Sequence, residues 1–114
     1  MIVEERMYTL HVGKVPEFME LYEKKALPLL RKHLGNQIGF YINEVGAQNL
    51  VVHLWAFESY EDREKRRHAL ASDPAWPEYR KLNQPRIQSQ ETRIMKPPAF
   101  FEKILREMIK SCPK

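Results

Sequence analysis

The chain has one cysteine, four glycines and no long hydrophobic run, and each scarcity narrows what it can be. A lone Cys112 closes no internal disulfide and supplies no cysteine metal cluster, so nothing in the sequence asks for an oxidising compartment. No stretch approaches the roughly 20 apolar residues that cross a bilayer. The start, Met1-Ile2-Val3-Glu4-Glu5-Arg6, has neither the basic opening nor the apolar stretch of a signal peptide. These absences predict a soluble, cytoplasmic chain with no integral membrane association. Gly13, Gly35, Gly39 and Gly46 are spaced as punctuation, and no P-loop, dinucleotide or Ser-His-Asp signature is present. His11, His33 and His68 fall in different elements without metal-ligand spacing, so neither a metal nor a cofactor is expected.

What remains is an ordinary globular composition: 114 residues, 43% hydrophobic and 30% charged, with a formal net charge of +4. That length suits one domain with one core. The positive balance raises the question of nucleic acid, and its distribution answers against it. The densest basic run, Arg63-Glu64-Lys65-Arg66-Arg67-His68, is interleaved with Glu61, Asp62 and Glu64 at helical spacing, which reads as a solvated helix face.

The hydrophobic pattern divides the chain into β-α-β-β-α-β. Ile2 to Val12 mixes β-branched and aromatic residues with charged ones and stops at Gly13, as a strand does. Val15-Pro16-Glu17 opens a helix whose Phe18, Met19, Tyr22, Ala26, Leu29, Leu30 and His33 recur at steps of three and four, with Gly35-Asn36 as its stop. Pro28 lies inside it and predicts two pieces meeting near Lys25-Leu27. Phe40 to Val45 and Leu50 to Phe57 form a hairpin around Gly46-Ala47-Gln48-Asn49. Ser59 caps a second helix to about Ala71, a short helix runs from Ala75 to Leu82, and Ile87 to Met95 reads as a mostly polar strand. This order is the ferredoxin-like split βαβ, an α+β fold with both helices on one face of a four-stranded antiparallel sheet.

The third strand splits into Val52, Leu54 and Ala56 on one side and Val51, His53, Trp55 and Phe57 on the other. Small aliphatics suit a helix-covered face. Pairing Val45 with Leu50 sets Glu44, Ile42 and Phe40 opposite Val51, His53 and Trp55, which places Phe40, Ile42, Glu44, His53, Trp55 and Phe57 on the uncovered face. Monomers rarely leave so much aromatic surface in water, so the pattern predicts a homodimer whose two sheets close a barrel around Glu44 and His53.

Several stretches in register resemble the NIPSNAP family: Arg6-Met7-Tyr8-Thr9-Leu10, Leu34-Gly35-Asn36-Gln37-Ile38-Gly39-Phe40, Val52-His53-Leu54-Trp55-Ala56-Phe57 leading into Ser59-Tyr60, and Ser72-Asp73-Pro74-Ala75-Trp76. The resemblance covers roughly residues 2–97, dividing the chain into a NIPSNAP-like domain, 1–97, and a C-terminal amphipathic helical extension, 98–114. It implies a dimeric α/β barrel. It brings no settled chemistry, although other dimeric α/β barrels include cofactorless monooxygenases, haem-degrading enzymes and isomerases.

Among candidate residues His53 leads, because histidine moves protons near neutral pH and Glu44, by the proposed pairing, would orient it. The competing reading is a buried histidine satisfied across the hairpin or the dimer interface. A proton-transfer role predicts that His53 titrates between about pH 5 and 8. Trp55 and Phe40 are either the apolar wall of a ligand pocket or core. Arg6 and Tyr8 share a strand face and are candidates to clamp an anion, or else surface and packing residues. The tail reads as a basic amphipathic helix, with Phe100, Ile104, Leu105, Met108 and Ile109 on one side. Two functions follow: a homodimer binding a small, partly apolar molecule, with proton-transfer or oxygenase-type chemistry at His53 and Glu44, or a non-catalytic protein-interaction module whose barrel is only a dimer core.

Overall fold

In the computed structural model, which describes residues 1–113, a four-stranded antiparallel sheet has the order β2-β3-β1-β4. Its strands are β1 (Ile2–Leu10), β2 (Asn36–Ile42), β3 (Leu50–Phe57) and β4 (Ile87–Met95). Between them run α1 (Val15–Leu21), α2 (Leu27–His33), α3 (Tyr60–Ala71) and α4 (Ala75–Asn83), and α5 (Ala99–Lys110) follows β4. Lys114, which the sequence reading assigns to the tail, lies outside the described residues. The expected α+β ferredoxin-like arrangement is present.

Local chemistry accounts for the element boundaries. Ser59 caps α3, its hydroxyl accepting from the Asp62 backbone N–H at 3.0 Å, which satisfies one of the helix's free donors. The proline break lies where the sequence places it. One π-helical turn, Tyr22–Ala26, joins α1 to α2, with Pro28 in the first turn of α2. The wider turn absorbs the clash that proline makes with the preceding carbonyl. Gly35 ends the α2 segment at φ +85°, with its N–H on the Leu30 carbonyl at 3.2 Å. Only glycine adopts that left-handed cap without strain.

The two sheet faces are exchanged relative to the sequence reading. Val51, Trp55 and Phe57 are buried in the core with Phe18, Tyr22, Leu30 and Leu34 of the α1–α2 segment and Leu70 of α3. The helices therefore cover the aromatic side of β3. Val52, Leu54 and Ala56 lie on the other side, where Ala56 and Val3 meet Leu105 of α5, and Leu54 and Ile38 pack against that cluster with Ile109. Alternation separates two sides of a strand without saying which one the helices take. Here the wide gap between sheet and helices is filled by the bulkier set.

The hairpin register also differs. Phe40 pairs with His53 and Ile42 with Val51, two residues away from the expected pairing, and Asn43 donates to the Leu50 carbonyl at 2.8 Å. An irregularity between Gln37 and Gly39 adds a residue to β2, as a β-bulge does. The turn is longer than a tetrapeptide, and Glu44 falls in it.

Because Trp55 is fully buried under the helices, Trp55→Ala is expected to cost about 3–5 kcal/mol of folding stability, seen as a lower midpoint in denaturant unfolding followed by circular dichroism. Retained stability with loss of self-association would instead place Trp55 at a seam between sheets.

Candidate functional site

The helix-facing residues of β1 are Ile2, Glu4, Arg6, Tyr8 and Leu10, so the strand carries an acid and a base into the space between sheet and helices. Glu4 is 0% exposed, and its carboxylate is ringed by guanidinium groups. Arg63 Nε donates to Glu4 Oε2 at 2.6 Å and Arg67 Nη1 to Oε1 at 3.1 Å, while Arg6 Nη1 stands 3.6 Å from Oε2. Arg63 and Arg67 are one helical turn apart on α3. Part of the basic run read from sequence as a solvated face thus turns inward to meet a buried charge.

Beside this cluster stands His53, 3% exposed, with Arg6 opposite it on β1 and Phe40 opposite it on β2. Phe40, Tyr8 and Tyr22 surround the imidazole, with ring centroids 5.4, 5.0 and 6.0 Å away. Trp55 Nε1–H donates to His53 Nδ1 at 2.9 Å. An indole N–H only donates, so Nδ1 carries no proton and the neutral ring holds its proton on Nε2. That Nε2 is buried and has no hydrogen-bond partner among the described residues. Burial foremost, and then the charges of Arg6 and Arg67, lower the His53 pKa to about 3, so the ring is neutral at physiological pH.

Of these groups Arg6, Tyr8, Tyr22, His53, Trp55 and Arg67 line a cavity of about 350 Å³ between the sheet and the helices. Arg6, Tyr8, His53 and Trp55 come from the sheet, Phe18, Tyr22 and Leu30 from the α1–α2 segment, Arg67 from α3, and Trp76, Tyr79, Arg80 and Asn83 from α4. Asn83, itself buried, donates to the Phe18 carbonyl at 3.1 Å and the Tyr79 hydroxyl at 2.8 Å, tying α4 to α1 across the cavity floor. Arg6 Nε donates to the Tyr8 hydroxyl at 3.0 Å, which holds the guanidinium toward the cavity.

Of the residues expected from sequence, Arg6, Tyr8, His53 and Trp55 come together at one wall. Phe40 backs His53 and packs against the core without lining the cavity. Glu44 does not join them. It is exposed in the hairpin turn outside the strand ladder, so the expected His53–Glu44 pair does not form, because the register shift leaves Glu44 beyond the end of β2. Glu4, Arg63 and Arg67 are the residues the sequence reading missed. Their signal was an acid at an inward position of β1 and two arginines four apart on the adjacent helix. Among the described residues no group of three or more His, Cys, Asp or Glu side chains could hold a metal ion, and no helix is long and apolar enough to cross a membrane.

The NIPSNAP family profile matches residues 3–102, a span that includes every residue of this cavity. The chain belongs to the NIPSNAP family. NipSnap homolog 3A of Homo sapiens is 36% identical over 93 residues, 80% of this chain but 37% of the human protein. The chain thus spans about a third of the length of the curated relatives it matches. A NIPSNAP family protein of Agrobacterium tumefaciens superposes with a TM-score of 0.85 at 36% identity, covering 88% of this chain and 90% of that one. An antibiotic biosynthesis monooxygenase-like protein of Nitrosomonas europaea has a TM-score of 0.61 at 12% identity, over 85% of this chain and 98% of that one. That similarity is one of fold.

The buried imidazole gives this NIPSNAP chain a defined pH response. An unfolded histidine takes up a proton below about pH 6.5, whereas folded His53 does so only near pH 3. Between those values the unfolded state binds the extra proton, so stability falls as pH falls, by about 1.4 kcal/mol per pH unit from this one residue. Urea unfolding is expected to show about 2 kcal/mol lost between pH 6.5 and 5 in the wild type and a correspondingly flatter slope in His53→Gln. Ring nitrogen shifts should stay constant from pH 8 to 5; a transition near pH 6 would contradict the geometry.

Proposed function

We propose that this NIPSNAP chain binds a small, partly apolar molecule in the cavity between its sheet and its helices. The observation that carries the reading is the convergence of Arg6, Tyr8, His53 and Trp55 on one open volume with an aromatic lining. A concave volume where a few polar groups converge beside aromatic side chains is the usual form of small-molecule sites. A chain that used its fold only to present outer surfaces to a protein partner would have no need of the space or of the unpartnered donor on His53. In this reading His53 acts as a hydrogen-bond donor through Nε2–H, since its other nitrogen is occupied by the Trp55 indole. Oxygenase-type chemistry, the enzymatic form of the same reading, would use this cavity with His53 polarising a bound oxygen atom, without Glu44.

A homodimer belongs to the same proposal, although on a different surface from the one the sequence suggested. The sheet face away from α1–α4 is covered by α5 over one part, and beyond it Tyr41 and Met95 are exposed. On α5 itself Phe100 is 76% exposed, and Ile104 and Met108 are also open. An apolar surface of this extent on an antiparallel sheet is the kind a second copy covers about a two-fold axis. A cytoplasmic setting is part of the reading too, consistent with a single free thiol at Cys112.

Two measurements test the proposal. Chemical shifts of Tyr8, His53, Trp55 and Tyr79 should move saturably when 1-naphthamide is added, and filling the volume with Gln90→Trp should abolish the response. Shifts confined to α5, or none with either 1-naphthamide or its carboxylate counterpart 1-naphthoate, would overturn cavity binding. Sedimentation at micromolar concentration should give a dimer that Ile104→Glu dissociates; a stable wild-type monomer would refute the dimer.

A further inference from the structure

The proposed cavity holds an imbalance of charge that a neutral ligand would leave in place. Arg6, Arg63 and Arg67 gather around one buried carboxylate, Glu4, and Arg63 also meets the exposed Glu64. Three guanidinium groups thus face two carboxylates, and one positive charge is left over at a half-buried position. It resides on the cavity side, because Arg6 and Arg67 line the cavity and neither carboxylate does. Burial, and then the adjacent Arg6, lower the Arg67 pKa, whereas at Arg6 burial is outweighed by Tyr8 and Glu4, which raise its pKa. Arg80, exposed on α4, adds another positive group to the lining. A desolvated charge without a counter-ion is costly, and a monoanion in the cavity removes the cost.

Donor geometry agrees with the charge count. A guanidinium offers five N–H groups. Arg6 directs Nε at Tyr8 and Nη1 toward Glu4, and Arg67 directs Nη1 at Glu4, which leaves further N–H donors on both. His53 Nε2–H adds a buried donor with no partner. No carboxylate lies in the cavity lining; the acceptors there are the neutral oxygens of Asn83, Gln84, Gln88, Ser89 and Gln90, of which Asn83 Oδ1 is buried without a partner among the described residues. Tyr8, Trp55, Trp76 and Tyr79 supply aromatic surface to the wall, and Gln88, Ser89 and Gln90 of β4 a polar side.

We propose, resting on the cavity-binding reading above, that the ligand of this site is a small aromatic monocarboxylate, its carboxylate held by Arg6, Arg67 and His53 Nε2–H and its ring by the tyrosine and tryptophan walls. Glu4 is a positioning residue: it fixes the guanidinium groups and neutralises part of their charge without touching the ligand. His53 stays neutral throughout and donates, so binding requires no proton uptake by the protein near neutral pH.

The test compares two isosteric pairs in the full chain at pH 7, benzoate with benzamide and 1-naphthoate with 1-naphthamide, by calorimetry and by chemical-shift mapping. Each charged hydrogen bond contributes enough that the carboxylate of at least one pair should bind about tenfold or more tighter than its amide. Arg67→Met should erase that preference while Arg67→Lys keeps part of it, and the His53 Nε2–H proton should move downfield with the carboxylate. The wild-type comparison stands if Arg67→Met fails to fold. Carboxylates and amides binding the cavity within about a factor of two of each other would overturn the anion assignment and leave cavity binding intact. Absence of binding by all four probes would overturn both, and carboxylate shifts located on the surface lysines would overturn the anion site.

Discussion

The buried carboxylate of Glu4 is the interaction on which the arrangement of the site depends. It is the fully buried acid of the core, and it is reached by guanidinium groups from two elements, Arg6 on β1 and Arg63 and Arg67 on α3. Any shift of α3 along the sheet would leave that charge without partners in a medium where an unpaired ion costs several kcal/mol. Hydrophobic packing is non-directional and would tolerate some sliding; a carboxylate ringed by N–H donors does not. The ion cluster therefore fixes the helix register that brings Arg67 to the same cavity as Arg6 and His53. Replacing the cluster by apolar residues of similar volume need not cost stability, so its role is better described as orientation than as strength.

From that constraint follows the electrostatic character of the cavity. Because Glu4 is withdrawn behind the guanidinium groups, the open volume faces their remaining positive charge rather than a neutral ion pair. Burial foremost, with the charges of Arg6 and Arg67, keeps His53 unprotonated. The Trp55 indole then fixes which nitrogen holds the proton. A residue that sequence alone presents as a proton shuttle is converted by its neighbours into a fixed donor. Burial decides the first half of that change, and the Trp55 indole two residues along the strand the second.

Much of the fold was legible because its signals are local. Ser59 with Asp62 three residues on marks a helix start, Gly35 marks a stop, and Pro28 marks a break that the chain accommodates with one π-helical turn. The strand β3 follows from alternation, and the helix α3 from its Ser59 cap. The hairpin pairing was less legible, since the extra residue between Gln37 and Gly39 and the length of the turn are set by contacts across the sheet. A slip of two residues preserves every side-chain face, so the pattern on β2 could not reveal it.

The sequence by itself determined the order of elements, the family, and the presence of Arg6, Tyr8, His53 and Trp55 on inward or outward halves of their strands. Those depend on period, caps and motifs, which are properties of neighbours along the chain. Only the tertiary structure decided which half faces the helices, that Glu44 lies outside the site, and that Glu4, Arg63 and Arg67 form its charged base. The second depends on pairing within the hairpin, and the first and third on elements distant in sequence meeting across the core. Residues 59 and 63 positions apart become hydrogen-bonded partners there, and no local pattern records that distance.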